Sequence, residues 1–280
     1  MKLLLIFTCL ILLACNTKVS NGSNGGPPII DGRMPSPSIL IFSKTTSWRH
    51  NRGIAGADYF FVSLADSLGL NVFTTQNPAI FNDKDLRRFK LVVFNNVSGN
   101  VLSKLQQDTF QNWFENGGNL ISVHSSGDSV STLTNWPWFR NKIIGPRFIG
   151  HIEDPQFQEA RVEVLNTDHP VMRDIPSEFF ITDEWYSFDS TPQDHGLTPL
   201  AGIDESTYKP FNYVWGPVSD LRMGEGAINH PVIWSTCIKK GRALYTSIGH
   251  LHSVYSSEAL QKILKNTYDW MIERKGQEGC

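Results

Sequence analysis

The feature that most constrains this chain is a set of short, almost continuously apolar runs alternating with amphipathic stretches. Ser38-Ile-Leu-Ile-Phe42, Leu91-Val-Val-Phe94 and Asn119-Leu-Ile-Ser-Val123 show little polar–apolar alternation. A strand that is apolar on both faces belongs inside a sheet covered on both sides. Between these runs, Ile54 to Leu68 sets Phe61, Leu64, Ala65 and Leu68 at helical spacing and stops at Gly69. Asn71-Val-Phe-Thr-Thr75 reads as another strand, and Leu102 to Glu115 as a helix ended by Gly117-Gly118. The alternation predicts an α/β fold of the flavodoxin-like, doubly wound kind, with a mostly parallel sheet and helices on both faces.

From about Pro137 to Pro231 the pattern loosens into loops and strand insertions. Strands are expected at Arg161 to Leu165, Phe179 to Thr182 and Leu197 to Ile203, and a hairpin at Val232 to Ser235 and Ala243 to Ile248. A helix is expected from Ser257 to Ile272, burying Leu260, Ile263, Leu264 and Tyr268. With 40% hydrophobic and 19% charged residues, the chain of 280 has the make-up of a globular protein. Basic residues number 25 against 27 acidic, a net charge of −2, and no basic run stands out. A nucleic-acid partner is therefore not expected.

The first residues read as a processing signal. Lys2 precedes Leu3 to Leu13, an 11-residue run too short to span a bilayer. It closes on Leu12-Leu13-Ala14-Cys15, which resembles a bacterial lipobox. That resemblance implies cleavage after residue 14 and acylation of Cys15, with the lipid membrane as partner, since several chains anchor far better than one. Residues 15–37 then form a polar, Gly-rich tether, and 274–280 a polar tail. Asn16 lacks the Asp that commonly marks inner-membrane retention, so the expected place is the periplasmic face of the outer membrane. Of the four cysteines, Cys9 leaves with the signal and Cys280 ends the tail. A structural disulfide between Cys237 and Cys280 is not expected, nor is a zinc site of CxxC type.

Four polar stretches fall where apolar strands end: Thr45 to His50, His124 to Asp128, Asp183 to Tyr186, and Gly249-His250. Open α/β sheets bind ligands outside the carboxyl ends of their strands. Each stretch has a plainer reading, as a capping histidine, a solvated acidic corner or core aromatics. Three histidines and a carboxylate pair at four tips are harder to attribute to chance. His151 is expected to join them from the loop after Gly145.

These stretches lie in longer segments. They are Phe42-Ser-Lys-Thr-Thr-Ser-Trp-Arg-His50, Gly117-Gly-Asn-Leu-Ile-Ser-Val-His124, Gly145-Pro-Arg-Phe-Ile-Gly-His151, Asp183-Glu-Trp-Tyr186, His230-Pro-Val-Ile-Trp234 and Gly241-Arg-Ala-Leu-Tyr-Thr-Ser-Ile-Gly-His250. In order and spacing the chain from Ile39 to Ile272 resembles the ThuA-like family, named for trehalose utilisation. The resemblance implies a class I glutamine amidotransferase-like fold in a domain over 38–273. It also implies a role in carbohydrate catabolism, beside enzymes of 3-keto-glycosides. In such a fold the turn after the strand ending at Val123 would carry a nucleophilic cysteine, but here it reads His124-Ser125-Ser126-Gly127. Thiolate chemistry is therefore not expected, and no Gly-x-Ser-x-Gly favours a serine nucleophile.

A keto sugar has an acidified C–H beside its carbonyl, and removing that proton needs a base and a group to hold the oxyanion. His124 or a member of the Asp183/Glu184 pair is the candidate base. His50, His250 or Arg49 is the candidate oxyanion partner, and Trp48, Trp185, Tyr186 and His151 are candidates for binding a small carbohydrate. No cofactor is required by the sequence. Three His and a carboxylate also suit a divalent metal, although no HxH or HExxH spacing supports one. A non-catalytic carbohydrate-binding module is the remaining reading.

Overall fold

The computed structural model describes residues 26, 28–30, 38–211, 214–216 and 218–272. The signal residues 1–14, Cys15, most of the tether and the tail 274–280 lie outside the described residues. A piece of the tether is described. Gly26 accepts an N–H from Asn77, and Ile30 packs against the body of the protein.

Among the described residues, nine strands make the main sheet and three a small one. The strands are β1 (Ser38–Phe42), β2 (Asn71–Thr75), β3 (Phe89–Asn95), β4 (Asn119–Val123), β5 (Phe148–Ile152), β6 (Gln158–Val164), β7 (Glu178–Asp183), β8 (Tyr186–Phe188), β9 (Thr198–Ile203), β10 (Val214–Trp215), β11 (Pro231–Ile238) and β12 (Gly241–Thr246). The helices are α1 (Asn51–Ser67), the single turn α2 (Asp83–Leu86), α3 (Lys104–Glu115), the short α4 (Pro137–Phe139) and α5 (Glu258–Ile272). The main sheet runs in the order β2-β1-β3-β4-β12-β11-β9-β6-β7. Its first five strands are parallel, and every later pair is antiparallel. Following the reversals, only β11 and β6 run against the rest. The carboxyl ends of β1, β3, β4, β12, β9 and β7 therefore share one edge.

The apolar runs are buried on both faces, as their composition requires. Ile39, Ile41, Leu91, Val93, Ile121 and Val123 face α1 and α5. Leu40, Phe42, Val92, Phe94 and Leu120 face Phe110 and Phe114 of α3. Each fully buried large side chain contributes about 1.5–3 kcal/mol. Helix α3 starts two residues later than its pattern suggested, because Ser103 and Gln106 form a reciprocal capping box. The doubly wound architecture is as the alternation predicted. The small sheet, in the order β10-β5-β8, gave no such signal: its strands are two to five residues long, too short for a periodicity to register.

Cys237 is disulfide-bonded; Cys9, Cys15 and Cys280 lie outside the described residues.

Candidate active site

Three histidines are delivered to one point by three strand ends. His50 sits in the turn after β1 as the N-cap residue of α1. His124 follows β4 directly and opens a short 3-10 turn. Its φ is +49°, a left-handed backbone uncommon for a residue with a side chain and usually found where the surroundings enforce it. The His124 ring is fixed by Nδ1–H donating to the Ser247 carbonyl at 2.6 Å, and its own carbonyl accepts from the Tyr245 hydroxyl at 3.1 Å. That contact puts the proton on Nδ1 and leaves Nε2 as the inward atom. His250 follows β12 after three residues, Ser247 to Gly249, in a turn whose geometry is set from β7.

Glu184, the residue after β7, completes the cluster. Its Oε2 lies 3.1 Å from His250 Nδ1 and 3.3 Å from His124 Nε2, and those two nitrogens are 3.2 Å apart. Its Oε1 accepts from Gln156 at 2.6 Å and lies 3.4 Å from His151 Nδ1. The His50 ring sits 4.3 Å from that of His250 and 4.9 Å from that of His124. One ligand-capable atom from each of the three histidines lies within 4.8 Å of the others.

The charges follow from this packing. Burial, reinforced by the neighbouring His124 and His250, pushes His50 down to about 2, so it is neutral. Burial works against the Glu184 carboxylate, but its hydrogen bonds to His124 and His250 outweigh burial and hold it below the usual carboxylate range. Burial also works against a charged His124, yet Glu184, Asp183 and the Ser247 carbonyl together raise it above an ordinary histidine. The result is a charged carboxylate that accepts from the facing nitrogens of His124 and His250, whose protons a bound cation would displace. Such a donor set fits a divalent cation of the zinc or manganese type, or a proton shared between Glu184 and His124.

The cluster forms the floor of a cavity of about 280 Å³. Of the residues expected there, His50, His250, Glu184, Trp48, Arg49, His151 and Tyr186 line it. His124 lies just beneath, with no exposed surface and its ring 4.2 Å from that of Tyr186. Asp128 and Phe148, which lie in the quoted stretches without having been singled out, also line the cavity, as do Trp215, Gln156 and Glu153, to which no motif pointed. The wall explains why: His151 pairs across the small sheet with Tyr186 on one side and Trp215 on the other. These residues are neighbours only through the sheet. His230, fully buried, steadies this wall by donating Nε2–H to the Tyr186 carbonyl at 2.9 Å while Nδ1 meets Glu205 at 2.7 Å.

Two candidates sit elsewhere. Asp183 turns away from the cavity and accepts the backbone N–H groups of Gly249 and His250 on one oxygen and of Leu251 on the other. It therefore fixes the loop that carries His250. Trp185 is core: it packs with Tyr208 and donates Nε1–H to the Gln158 carbonyl at 2.8 Å. Successive residues leaving a strand point to opposite sides, which assigns Asp183 and Glu184 different tasks. Ser126 is a structural hydroxyl, donating to Phe94 and accepting from Val97. Cys237 pairs with Arg242 near the start of β12, at the end of the strand away from the site.

A larger groove of about 540 Å³ lies between α1 and α5, lined by Tyr59, Phe60, Leu64, Tyr255 and four polar residues of α5, among others. Among the described residues, no group of three metal-ligating side chains converges there, whereas His50, His124 and His250 do so at the smaller cavity.

Comparison with known proteins places this architecture. The ThuA family, described by trehalose utilisation, matches residues 38–271. A ThuA-like protein from Bacteroides uniformis superposes with a TM-score of 0.70 at 24% identity, covering 90% of this chain and 97% of that one. Another from Parabacteroides merdae gives 0.61 at 15% identity, covering 88% and 93%. At these identities the structural likeness speaks for the fold. A search of curated proteins found no match.

Proposed function

The chain belongs to the ThuA family of trehalose utilisation, which makes its role carbohydrate-related, and we propose that it is a cell-envelope enzyme acting on a keto-sugar or keto-glycoside by elimination, isomerisation or hydrolysis. The observation that carries this reading is the convergence of His50, His124 and His250 on one point, with Glu184 charged beside them. These three imidazoles would hold a divalent cation. Bound there, it would supply Lewis-acid polarisation of a sugar carbonyl or an activated water.

The protein's own residues account for the proton transfer. His151 Nδ1 faces two acceptors, the Ile152 carbonyl at 3.0 Å and Glu184 Oε1 at 3.4 Å. Nδ1 therefore carries the proton, and Nε2 offers its lone pair. His151 Nε2 takes the proton from the carbon beside the keto group, the C–H electron pair moves towards the carbonyl oxygen, and Glu184 stabilises the imidazolium that forms. Arg49, tethered to the Ser43 carbonyl at 3.1 Å, is placed to meet hydroxyls at the mouth.

The test combines metal analysis with product analysis. The purified protein is assayed for bound metal by mass spectrometry and incubated with oxidised and unoxidised disaccharides, with and without chelator. New products from the oxidised sugar, lost on chelation and restored by metal, are the expected result. Turnover indifferent to chelator in metal-free protein would leave acid–base chemistry without a cation. Stabilisation by sugar without products would make the protein a binding module.

The envelope placement is part of the same proposal. It rests on the Leu12-Leu13-Ala14-Cys15 motif after an apolar run. The bonded state of Cys237 supports it, because disulfides persist in oxidising compartments. Periplasmic anchoring at the outer membrane predicts that Cys15→Ser releases the protein from membranes or leaves the precursor uncleaved. Unchanged fractionation together with an unchanged N-terminal mass would refute the anchor.

A further inference from the structure

The geometry points to a second sugar-ring subsite at the mouth of the cavity, formed by Trp48 and Trp215, beyond the space above the histidine floor. This inference rests on the carbohydrate reading above and adds to it the substrate class: a disaccharide or glycoside held by its terminal ring, with the neighbouring ring on the tryptophans.

The inner chamber sets the first limit. At about 280 Å³ it falls just below the roughly 300 Å³ at which pockets begin to enclose drug-sized ligands. A ligand with one pyranose above the histidine floor of a cavity this small would bring a second ring to its mouth, against Trp48 and Trp215.

The rim is where that ring would lie. Trp48 is 57% exposed and Trp215 37%, whereas large aromatics are usually well buried. Both line the chamber, and their rings meet edge to face with centroids 6.3 Å apart. Their exposure is held in place by the backbone. The segment bearing Trp48 is tied to Ser98, whose carbonyl accepts the Thr46 N–H at 2.9 Å and whose hydroxyl donates to the Trp48 carbonyl. Gly99, at φ +79°, lets the two segments close: a Cβ there would meet Thr46 Oγ1 at 2.1 Å. Trp215 is fixed similarly, since a Cβ on Gly150 would lie 2.3 Å from its carbonyl oxygen. The Trp215 ring stacks on His151 at 5.4 Å with 10° between planes. Aromatic surface kept rigid and open beside a polar chamber suits a ligand with an apolar C–H face and a hydroxylated edge. A pyranose has both, and Arg49 and Glu153 stand at the same cavity to meet the hydroxyls.

The experiment compares a 3-keto-disaccharide with a one-ring monosaccharide substrate, the corresponding methyl 3-keto-glycoside, in wild type, Trp48→Ala and Trp215→Ala, with Trp48→Phe as the conservative control. The ratio of the monosaccharide KM to the disaccharide KM should fall about tenfold in each Ala variant, equivalent to ~1.4 kcal/mol and within the worth of an aromatic contact. Trp48→Phe should retain most of the ratio. An unchanged ratio would overturn the subsite, whatever happens to the absolute rates. If neither substrate is turned over, the reaction proposed above fails, and calorimetric binding of trehalose and glucose then decides on the subsite. Wild type should bind trehalose more tightly and lose that advantage in both Ala variants; equal binding, or none, would overturn it.

Discussion

Replacing His124 by alanine is expected to lower turnover by on the order of 100-fold or more, the usual worth of a positioned acid, base or ligand. The ring is fully buried, and its Nε2 lies 3.2 Å from His250 and 3.3 Å from Glu184. Glu184→Gln should cost about as much, because it removes the charge that holds His124, His151 and His250 in one arrangement. The double variant should be little worse than either single one, since a broken unit is not broken twice. Folding can be separated from chemistry with His124→Asn. Asn tolerates the left-handed backbone and can still donate to the Ser247 carbonyl, but it lacks Nε2. Two other histidines serve as controls. His195 is exposed and bonded to Ser190, so its Ala variant should keep wild-type rates. His169 packs on Trp270 and accepts the Val171 N–H, away from the cavity. His169→Ala should lose stability and keep its turnover per folded molecule. Full activity in His124→Asn, or strict additivity in the double variant, would dissolve the proposed centre.

Asp183→Ala should be the most destabilising change at the site. The Asp183 carboxylate is completely buried and accepts three backbone N–H groups, at 2.6 Å from Gly249, 3.1 Å from His250 and 3.0 Å from Leu251. Each buried donor left without a partner costs about 1–3 kcal/mol, so a loss of roughly 3–5 kcal/mol is expected. For a domain of this size that lowers the melting temperature by roughly 10 °C. Activity should fall as well, because the same loop presents His250. Asp183→Asn keeps one oxygen for two of the donors and should lose about half as much. Thermal unfolding followed by circular dichroism measures both variants. An unchanged melting temperature in Asp183→Ala would mean that the loop holds its shape without this anchor.

The parallel half of the fold was legible residue by residue. A strand covered on both faces must be apolar almost throughout, and the runs ending at Phe42, Phe94 and Val123 could satisfy no other environment. The same logic located the loops that carry His50, His124 and His250, because each loop follows an apolar strand at the carboxyl edge. Local composition determined those positions because burial acts on each strand by itself.

The tertiary structure alone decided what those histidines meet. Strand β7 lies at the far side of the nine-stranded sheet, four places from β12, yet its last residue binds the loop after β12 and the next residue reaches His124. The antiparallel half therefore curls back over the carboxyl edge. Sheet curl is the accumulated twist of many strand pairs, and no short segment carries a signature of it. The division between Asp183, which anchors a loop, and Glu184, which faces the cavity, depends on that return. So do the walls supplied by Trp215 and Gln156. Contacts such as Asp183 to Gly249 or His124 to Ser247 join residues far apart along the chain, and they exist only once the sheet has closed.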